Sequence, residues 1–225
     1  MDFLFYGGGM EIFDFSKETE LIAYLDLSNV FHWQATLKWR FSIYSVIEQL
    51  LAMKQMKEVR IYYGVNERQK EKSENFHRRL RQAGAIVVSK PMKWIKKEIR
   101  KDLFVKPATL SRFDDNAHSK LDELVRYLGE RGFQIEEPKC NFDVEMSLDM
   151  LDMVDKVSGI MLFSGDSDLI EPLKRIKLKG KSIYLFGVRG QVARELIEIC
   201  TKYVNFGKWY TGPKSENPTP KSGTA

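Results

Sequence analysis

Along this chain, short apolar runs of β type alternate with stretches whose apolar residues recur every three or four positions, the two periods that mark buried strands and core-facing helices. Residues 21–26, LIAYLD, read as a strand. Ile43, Val46, Ile47, Leu50 and Leu51 follow the i, i+3, i+4, i+7, i+8 stripe of a helix, and VRIYYGV at 59–65 reads as the next strand, which completes one βαβ unit. A helix through Phe76, Leu80 and Ala83 is predicted to stop at Gly84, before the strand AIVVS. The alternation resumes with a helix through Leu121, Leu124, Val125 and Leu128 and a short strand FQIEE. A helix from about Phe142 to Val157 has apolar residues facing several directions, which predicts burial on more than one side. The strand GIMLFS, a helix through Leu169, Leu173 and Ile176 ending at Gly180, the strand SIYLFG and a last helix through Val192, Leu196 and Ile199 complete the pattern. Strands alternating with helices predict an α/β fold: a mainly parallel sheet, helices on both faces and right-handed crossovers.

Three stretches depart from that rhythm. Residues 90–106 gather seven Lys or Arg around Trp94, Ile95, Leu103 and Phe104, which reads as an insertion or a basic face. The C-terminal TGPKSENPTPKSGTA holds three of the seven prolines and no large apolar residue, the mark of a solvated tail. The opening MDFLFYGGGMEIF lacks the basic start and cleavage site of a signal peptide, and its triglycine, without the Lys-Ser/Thr of a phosphate loop, reads as a turn. The expected organisation is an N-terminal extension at 1–19, one domain at 20–210 with a basic insertion around 90–137, and a flexible tail at 211–225.

Composition narrows the class. A chain of 225 residues with 43% hydrophobic content can bury a full core, and no apolar run reaches the ~20 residues of a spanning helix. A net charge of +5 permits a polyanionic partner. The two cysteines, Cys140 and Cys200, form no CxxC, so a zinc module or disulfide framework is not expected, and a reducing cytoplasm fits. His32, His77 and His118 lie far apart without ligand spacing; His32 is expected to pack with Phe31 and Trp33.

Chemistry concentrates where apolar runs stop at an acid: Asp26 in LIAYLDLSN, Asp143 in NFDVEMSLDM, and Asp166 and Asp168 in IMLFSGDSDLI. A buried parallel strand tipped by a carboxylate delivers it to the sheet's carboxyl edge, where open α/β folds bind ligands. Either aspartate of SGDSD, alone, is equally accounted for as a helix cap; a second acid-tipped strand at Asp26 shifts the balance toward a site. Carboxylates gathered there repel one another unless protonated or bridged by a cation, and such hard oxygen ligands suit Mg²⁺ or Mn²⁺. The first expectation is a metal-dependent site that cleaves phosphoesters. Asn29 adds an amide able to hold water or phosphate, as does the Ser164 hydroxyl.

The order DLSN, KCNFDVEMSLDM and LFSGDSDLIEPLKRIKLKGKSIYLFG resembles the NYN domain of the LabA-like group among the PIN-like nucleases, over roughly residues 20–205 and poorly at 90–137. The resemblance implies a compact three-layer α/β/α sandwich, Rossmann-like in its parallel sheet, with an acidic pocket for divalent metal and ribonuclease activity. Its acidic positions fall on Asp26, Asp143, Asp166 and Asp168, with the amide on Asn29; these five are the expected catalytic residues and the four acids the expected metal ligands. Lys139 stands a longer step before Asp143 than the family pattern and receives no role. Asp149 matches a recurring acid, but six residues at about 100° each turn it away from Asp143, so it is expected to orient a neighbour or meet solvent.

The expected substrate is RNA, single-stranded or structured. Lys90, Lys93, Lys96, Lys97, Arg100 and Lys101, with Trp94 among them, could follow a phosphate backbone while the indole stacks a base; a solvated amphipathic helix is an equal account of that segment. GVRG at 187–190 could approach a phosphate, though an ordinary connecting loop accounts for it better. An RNA-binding or regulatory adaptor with a PIN-like fold and little or no catalytic activity is the alternative function, and homo-oligomerisation stays open. A phosphatase with a nucleophilic aspartate is disfavoured, because the second acid it needs is here Ser28.

Overall fold

A computed structural model describes residues 13–105 and 107–216. The readings of the triglycine turn and of the last nine residues fall outside the described residues. In chain order the elements are β1 (Leu21–Asp26), α1 (Leu27–Leu37), β2 (Trp39–Phe41), α2 (Ile43–Leu51), β3 (Met56–Tyr62), α3 (Lys70–Gln82), β4 (Ile86–Val88), β5 (Lys93–Glu98), α4 (Pro107–Leu110) and α5 (Asp115–Glu130). They continue with β6 (Gln134–Lys139), α6 (Asp143–Met153), β7 (Gly159–Phe163), α7 (Ile170–Leu178), β8 (Ser182–Gly187), α8 (Arg194–Ile199), β9 (Lys202–Asn205), α9 (Phe206–Trp209) and β10 (Lys214–Glu216). The chain divides into two compact units, one running up to Lys90 and again from Asn141, the other Pro91–Cys140.

The first unit is built on a six-stranded sheet in the order β4-β3-β1-β7-β8-β9, every neighbouring pair parallel. The α/β expectation is borne out. Parallel strands need crossovers, and the helices that supply them cover both faces, which is why the central strands are continuously apolar. Pleating divides each strand between two cores. Leu21, Ala23 and Leu25 of β1, Met161 and Phe163 of β7, and Phe186 of β8 meet α1, α2 and α9 through Trp33, Val46, Ile47, Leu50, Phe206 and Trp209. Ile22, Ile160, Leu162, Ile183 and Leu185 alternate with them and are fully buried on the other face, as are Met146 and Met150 of α6 and Leu173 and Ile176 of α7. At about 1.5–3 kcal/mol for each fully buried large apolar side chain, these two cores are the main source of stability. The predicted helix ends at Gly84 and Gly180 have φ of +97° and +72°, the left-handed region.

Four readings need correction. Phe13 and Phe15 are buried in the first core, Phe15 edge-on to Tyr184 with ring centroids 4.9 Å apart, so the described end of the N-terminal extension is part of the fold. Lys214–Glu216 pair antiparallel with Trp39–Phe41, so the tail begins with a strand; aromatic stacking of Trp39 on Tyr210 holds that region where composition alone suggests solvent. Helix α6 buries only Met146 and Met150 completely and leaves Val144 69% and Leu148 57% exposed, so it is covered on one side rather than several. His32 is exposed, because the face of α1 that Trp33 occupies turns it outward.

The second unit pairs β5 with β6 antiparallel and adds α4 and α5. The basic stretch is therefore a strand followed by a 3-10 turn at Lys101–Leu103, and an amphipathic helix there is excluded. None of its residues with described side chains is fully buried.

Candidate metal centre

The sheet order places the site. From β1 the chain steps outward through β3 to β4, then returns to build β7, β8 and β9 on the other side, so the strand order reverses between β1 and β7. Loops diverge at such a point and leave a crevice at the carboxyl ends of the strands. β1 ends there in Asp26 and β7 in the sequence Ser164-Gly165-Asp166.

Local chemistry fixes each carboxylate. Asp26 is the N-cap of α1 and accepts from the Asn29 backbone N–H at 3.2 Å. Gly165 lies so close to the loop after β8 that a Cβ would stand 1.9 Å from the Gln191 carbonyl oxygen, and its own carbonyl accepts from Ala193 N–H at 3.1 Å. Only glycine fits that approach. The turn that follows is cross-braced: Ser164 Oγ accepts from Asp166 N–H at 3.2 Å, and Asp166 Oδ1 accepts from Asp168 N–H at 3.0 Å as the cap of the 3-10 turn Ser167–Leu169. Asp143 opens α6, its N–H donating to Asn141 Oδ1 at 2.7 Å.

Asp143, Asp166 and Asp168 come together, each offering an oxygen within 4.8 Å of the others. Asp26 is outside this group of three yet within its electrostatic reach. Burial first, and then the charges of Asp143 and Asp166, push its carboxyl above the usual range, against the pull of the Asn29 N–H. Asp143 is raised as well, by burial first and then by Asp166, Asp168 and Glu145, against the Asn141 hydrogen bond. Two acids held toward their protonated forms, by burial first and then by neighbouring carboxylates, mark a site that gains from a cation. Three carboxylates are also the hard donor set that Mg²⁺ or Mn²⁺ takes, so the residues fit such an ion.

The remaining expected residues divide. Asn29 Oδ1 accepts from both Gly165 N–H and Trp33 Nε1, each at 3.2 Å, so its carbonyl ties α1 to the acid turn and only its NH₂ is left for a ligand. Ser164 is fully buried, and its hydroxyl braces Asp166; a substrate contact for it is corrected to that role. In the second unit, strand alternation sends Lys93, Ile95 and Lys97 to one face of β5 and Trp94 and Lys96 to the other, so the basic residues do not form one face. Lys97 pairs with Glu137, Arg100 with Asp102 at 2.9 Å, and Lys101 with Asp122. Lys90, in the first unit, pairs with Glu145 and lies 4.8 Å from the Phe142 ring centroid.

Sequence reasoning missed Asn141, Glu145 and the Gln191–Ala193 brace. Asn141 carries a local signal, an amide side chain two residues before a helix start. The other two depend on contacts between segments far apart in sequence. The loop reading of GVRG stands beside that brace: Gly190 has φ of +81° and Val188 is buried. Both cysteines are free thiols. No helix among the described residues is long and apolar enough to cross a membrane.

Residues 108–207 match the NYN domain, a stretch that takes in α6, β7, the acid turn and β8 and leaves Asp26 and Asn29 outside. The chain is 23% identical over 205 residues to the low amplitude and bright protein LabA of Synechococcus elongatus, covering 91% of this chain and 93% of that protein. Its fold is similar to the crystal structure of a protein of unknown function from Vibrio parahaemolyticus, with a TM-score of 0.55 at 18% identity, over 83% of this chain and 92% of that one. The resemblance to LabA-like NYN domains read from the motifs is borne out.

Proposed function

We propose that this protein is an endoribonuclease that hydrolyses RNA phosphodiester bonds with Mg²⁺ or Mn²⁺ held by Asp143, Asp166 and Asp168 and with Asp26 beside them. The observation that carries this reading is the convergence of three carboxylates within 4.8 Å at the point where the strand order reverses, on a chain whose NYN match points to nuclease chemistry. When bound, a divalent ion would polarise the scissile phosphate and lower the pKa of a bound water.

The chain's own residues supply the rest. The braced turn of Ser164–Asp168 holds two of the ligands with little freedom, so the site is organised before substrate arrives. Asp26 and Asp143 retain protons to higher pH than free aspartate and release them as positive charge enters. The Asn29 NH₂, left over once its carbonyl has accepted from Gly165 and Trp33, would donate to a phosphate oxygen or water. For the RNA backbone, the exposed Lys93 and Lys96 of β5 would serve without breaking any ion pair seen among the described residues, and Lys97 and Arg100 would exchange their carboxylate partners for phosphate; Trp94 offers a stacking surface.

A labelled single-stranded RNA incubated with the wild type and with Asp166→Asn, each in Mg²⁺, Mn²⁺ or chelator, tests the reading. Wild-type cleavage should need the metal, and Asp166→Asn should lower it by about 100-fold or more, beyond the ~10–100-fold range of outer-shell substitutions, while RNA affinity stays nearly intact. Cleavage that resists chelator and survives Asp166→Asn sinks the assignment. RNA binding without any metal-dependent cleavage would favour an adaptor instead.

A further inference from the structure

Helix α6 carries Asp143 at its head, yet apolar packing specifies its position weakly. Its two fully buried side chains, Met146 and Met150, are both methionine, and Val144 and Leu148 face outward. Methionine is unbranched with three rotatable bonds, so it fills space without dictating one seating. The directional contacts come from Asp149. Its Oδ2 accepts from the Tyr62 hydroxyl at 2.6 Å and lies 3.3 Å from Arg60 Nη1, and its backbone carbonyl accepts from the Tyr24 hydroxyl at 3.4 Å. Arg60 is itself anchored by Glu58 at 2.8 Å.

This network ends on the sheet edge that bears the site. Tyr62, fully buried, is the last residue of β3 and stands in register with Asp26, the last residue of β1. A hydrogen bond from Tyr62 to the middle of α6 therefore measures the helix against the strand that presents Asp26. Part-buried, charge-assisted bonds of this kind are stronger and more directional than bonds between neutral groups in open water.

We propose that Asp149 is a positioning residue for the acidic centre: its clasp on Tyr62 and Arg60 sets where α6 stands on the sheet, and so where Asp143 meets Asp166 and Asp168. The inference rests on the reading of that centre as a cation site. Metal ligands must be held to within about 0.5 Å, a tolerance two methionines do not enforce alone.

The test is Mn²⁺ binding, followed by the loss of the free-ion electron paramagnetic resonance signal at a temperature where every variant is folded. Asp149→Ala and Tyr62→Phe should each weaken Mn²⁺ affinity about tenfold, and Asp149→Asn, which keeps the acceptor for Tyr62, should stay within about twofold of wild type. Val46→Ala, which opens a cavity on the opposite face of the sheet, should lower thermal stability without changing Mn²⁺ affinity. If Asp149→Ala fails to fold, Tyr62→Phe, which removes one hydroxyl, carries the test alone. Wild-type affinity in Tyr62→Phe and in a folded Asp149→Ala overturns the inference, as does an equal loss in Val46→Ala. A wild type that binds no Mn²⁺ sinks the cation reading and this inference together, an outcome distinct from the other two.

Discussion

The two units of this chain solve the problem of holding charged chemistry in opposite ways. In the sheet unit, acids are fixed by strands buried on both faces: Leu162 and Phe163, immediately before the acid turn, have no exposed surface, and Phe163 stacks on Phe186 with centroids 4.1 Å apart. In Pro91–Cys140 the large apolar residues remain open, with Phe133 55%, Tyr127 50% and Phe104 47% exposed, and the charges are held by surface ion pairs such as Lys97–Glu137. Exposed pairs contribute about 0–1 kcal/mol each, whereas a buried aromatic contributes several times that. A cation site needs fixed geometry, and a polyanion track tolerates movement. On the proposed function, a division of labour between rigid acids and adaptable bases would follow from that difference in packing.

Removing core volume breaks the comparison most directly. Phe163→Ala should cost about 3–5 kcal/mol, and Phe133→Ala about 0.5 kcal/mol or less, measured by urea denaturation. Equal losses would mean that the second unit is more tightly packed than its exposure indicates.

A smaller effect separates a buried carboxylate from an exposed one. Burial works to raise the Glu18 carboxyl, but the neighbouring hydroxyls of Ser158, Ser182 and Tyr184, the last donating to it at 2.7 Å, together outweigh burial and hold the group below its usual range. A depressed folded pKa gives stability that is present above the unfolded value and lost as pH falls through the folded one. Glu18→Gln should therefore cost about 1.5–3 kcal/mol at pH 7, with the gap to wild type closing as acid protonates Glu18, while Glu137→Gln changes little at either pH. A pH-independent cost for Glu18→Gln would locate the effect in packing rather than charge.

The smallest stability effect, and the most selective on function, belongs to the basic strand. Lys93→Ala with Lys96→Ala should leave the melting temperature almost unchanged, weaken RNA binding, and reduce the salt slope by about 1.4, two single-strand contacts at ~0.7 each. A salt slope equal to wild type would remove these lysines from the RNA interface. Lys97 is the poorer probe, because its replacement also strands Glu137.

Local pattern was enough for much of the fold. The strand at 21–26, the helix from Ile43 to Leu51 and the stop at Gly84 each depend on a period or on one residue's conformational freedom, so they are legible without a partner segment. The short strands β2, β9 and β10 were not legible, nor was α1. Three or four residues carry too little period to read, and pairing of Trp39–Phe41 with Lys214–Glu216 joins segments at opposite ends of the chain. The basic stretch showed its charge and hid its form, since a six-residue strand and a helical turn draw on the same Lys and Ile content.

For the candidate site, the sequence by itself determined which acids could matter, because a carboxylate at the end of an apolar run is costly to keep and cheap to read. Tertiary structure decided how they are used. It brought Asp143, Asp166 and Asp168 within one ion's reach and engaged Asp26 as a helix cap beside them. It buried Ser164, committed the Asn29 carbonyl to Gly165, and turned Asp149 toward Tyr62. The physical reason is that composition and period report the free energy of burying or exposing a residue, which is local. Coordination and hydrogen bonding depend on tenths of an ångström between segments that, for Asn29 and Gly165, lie 136 residues apart, and those distances exist only once the sheet has set its register.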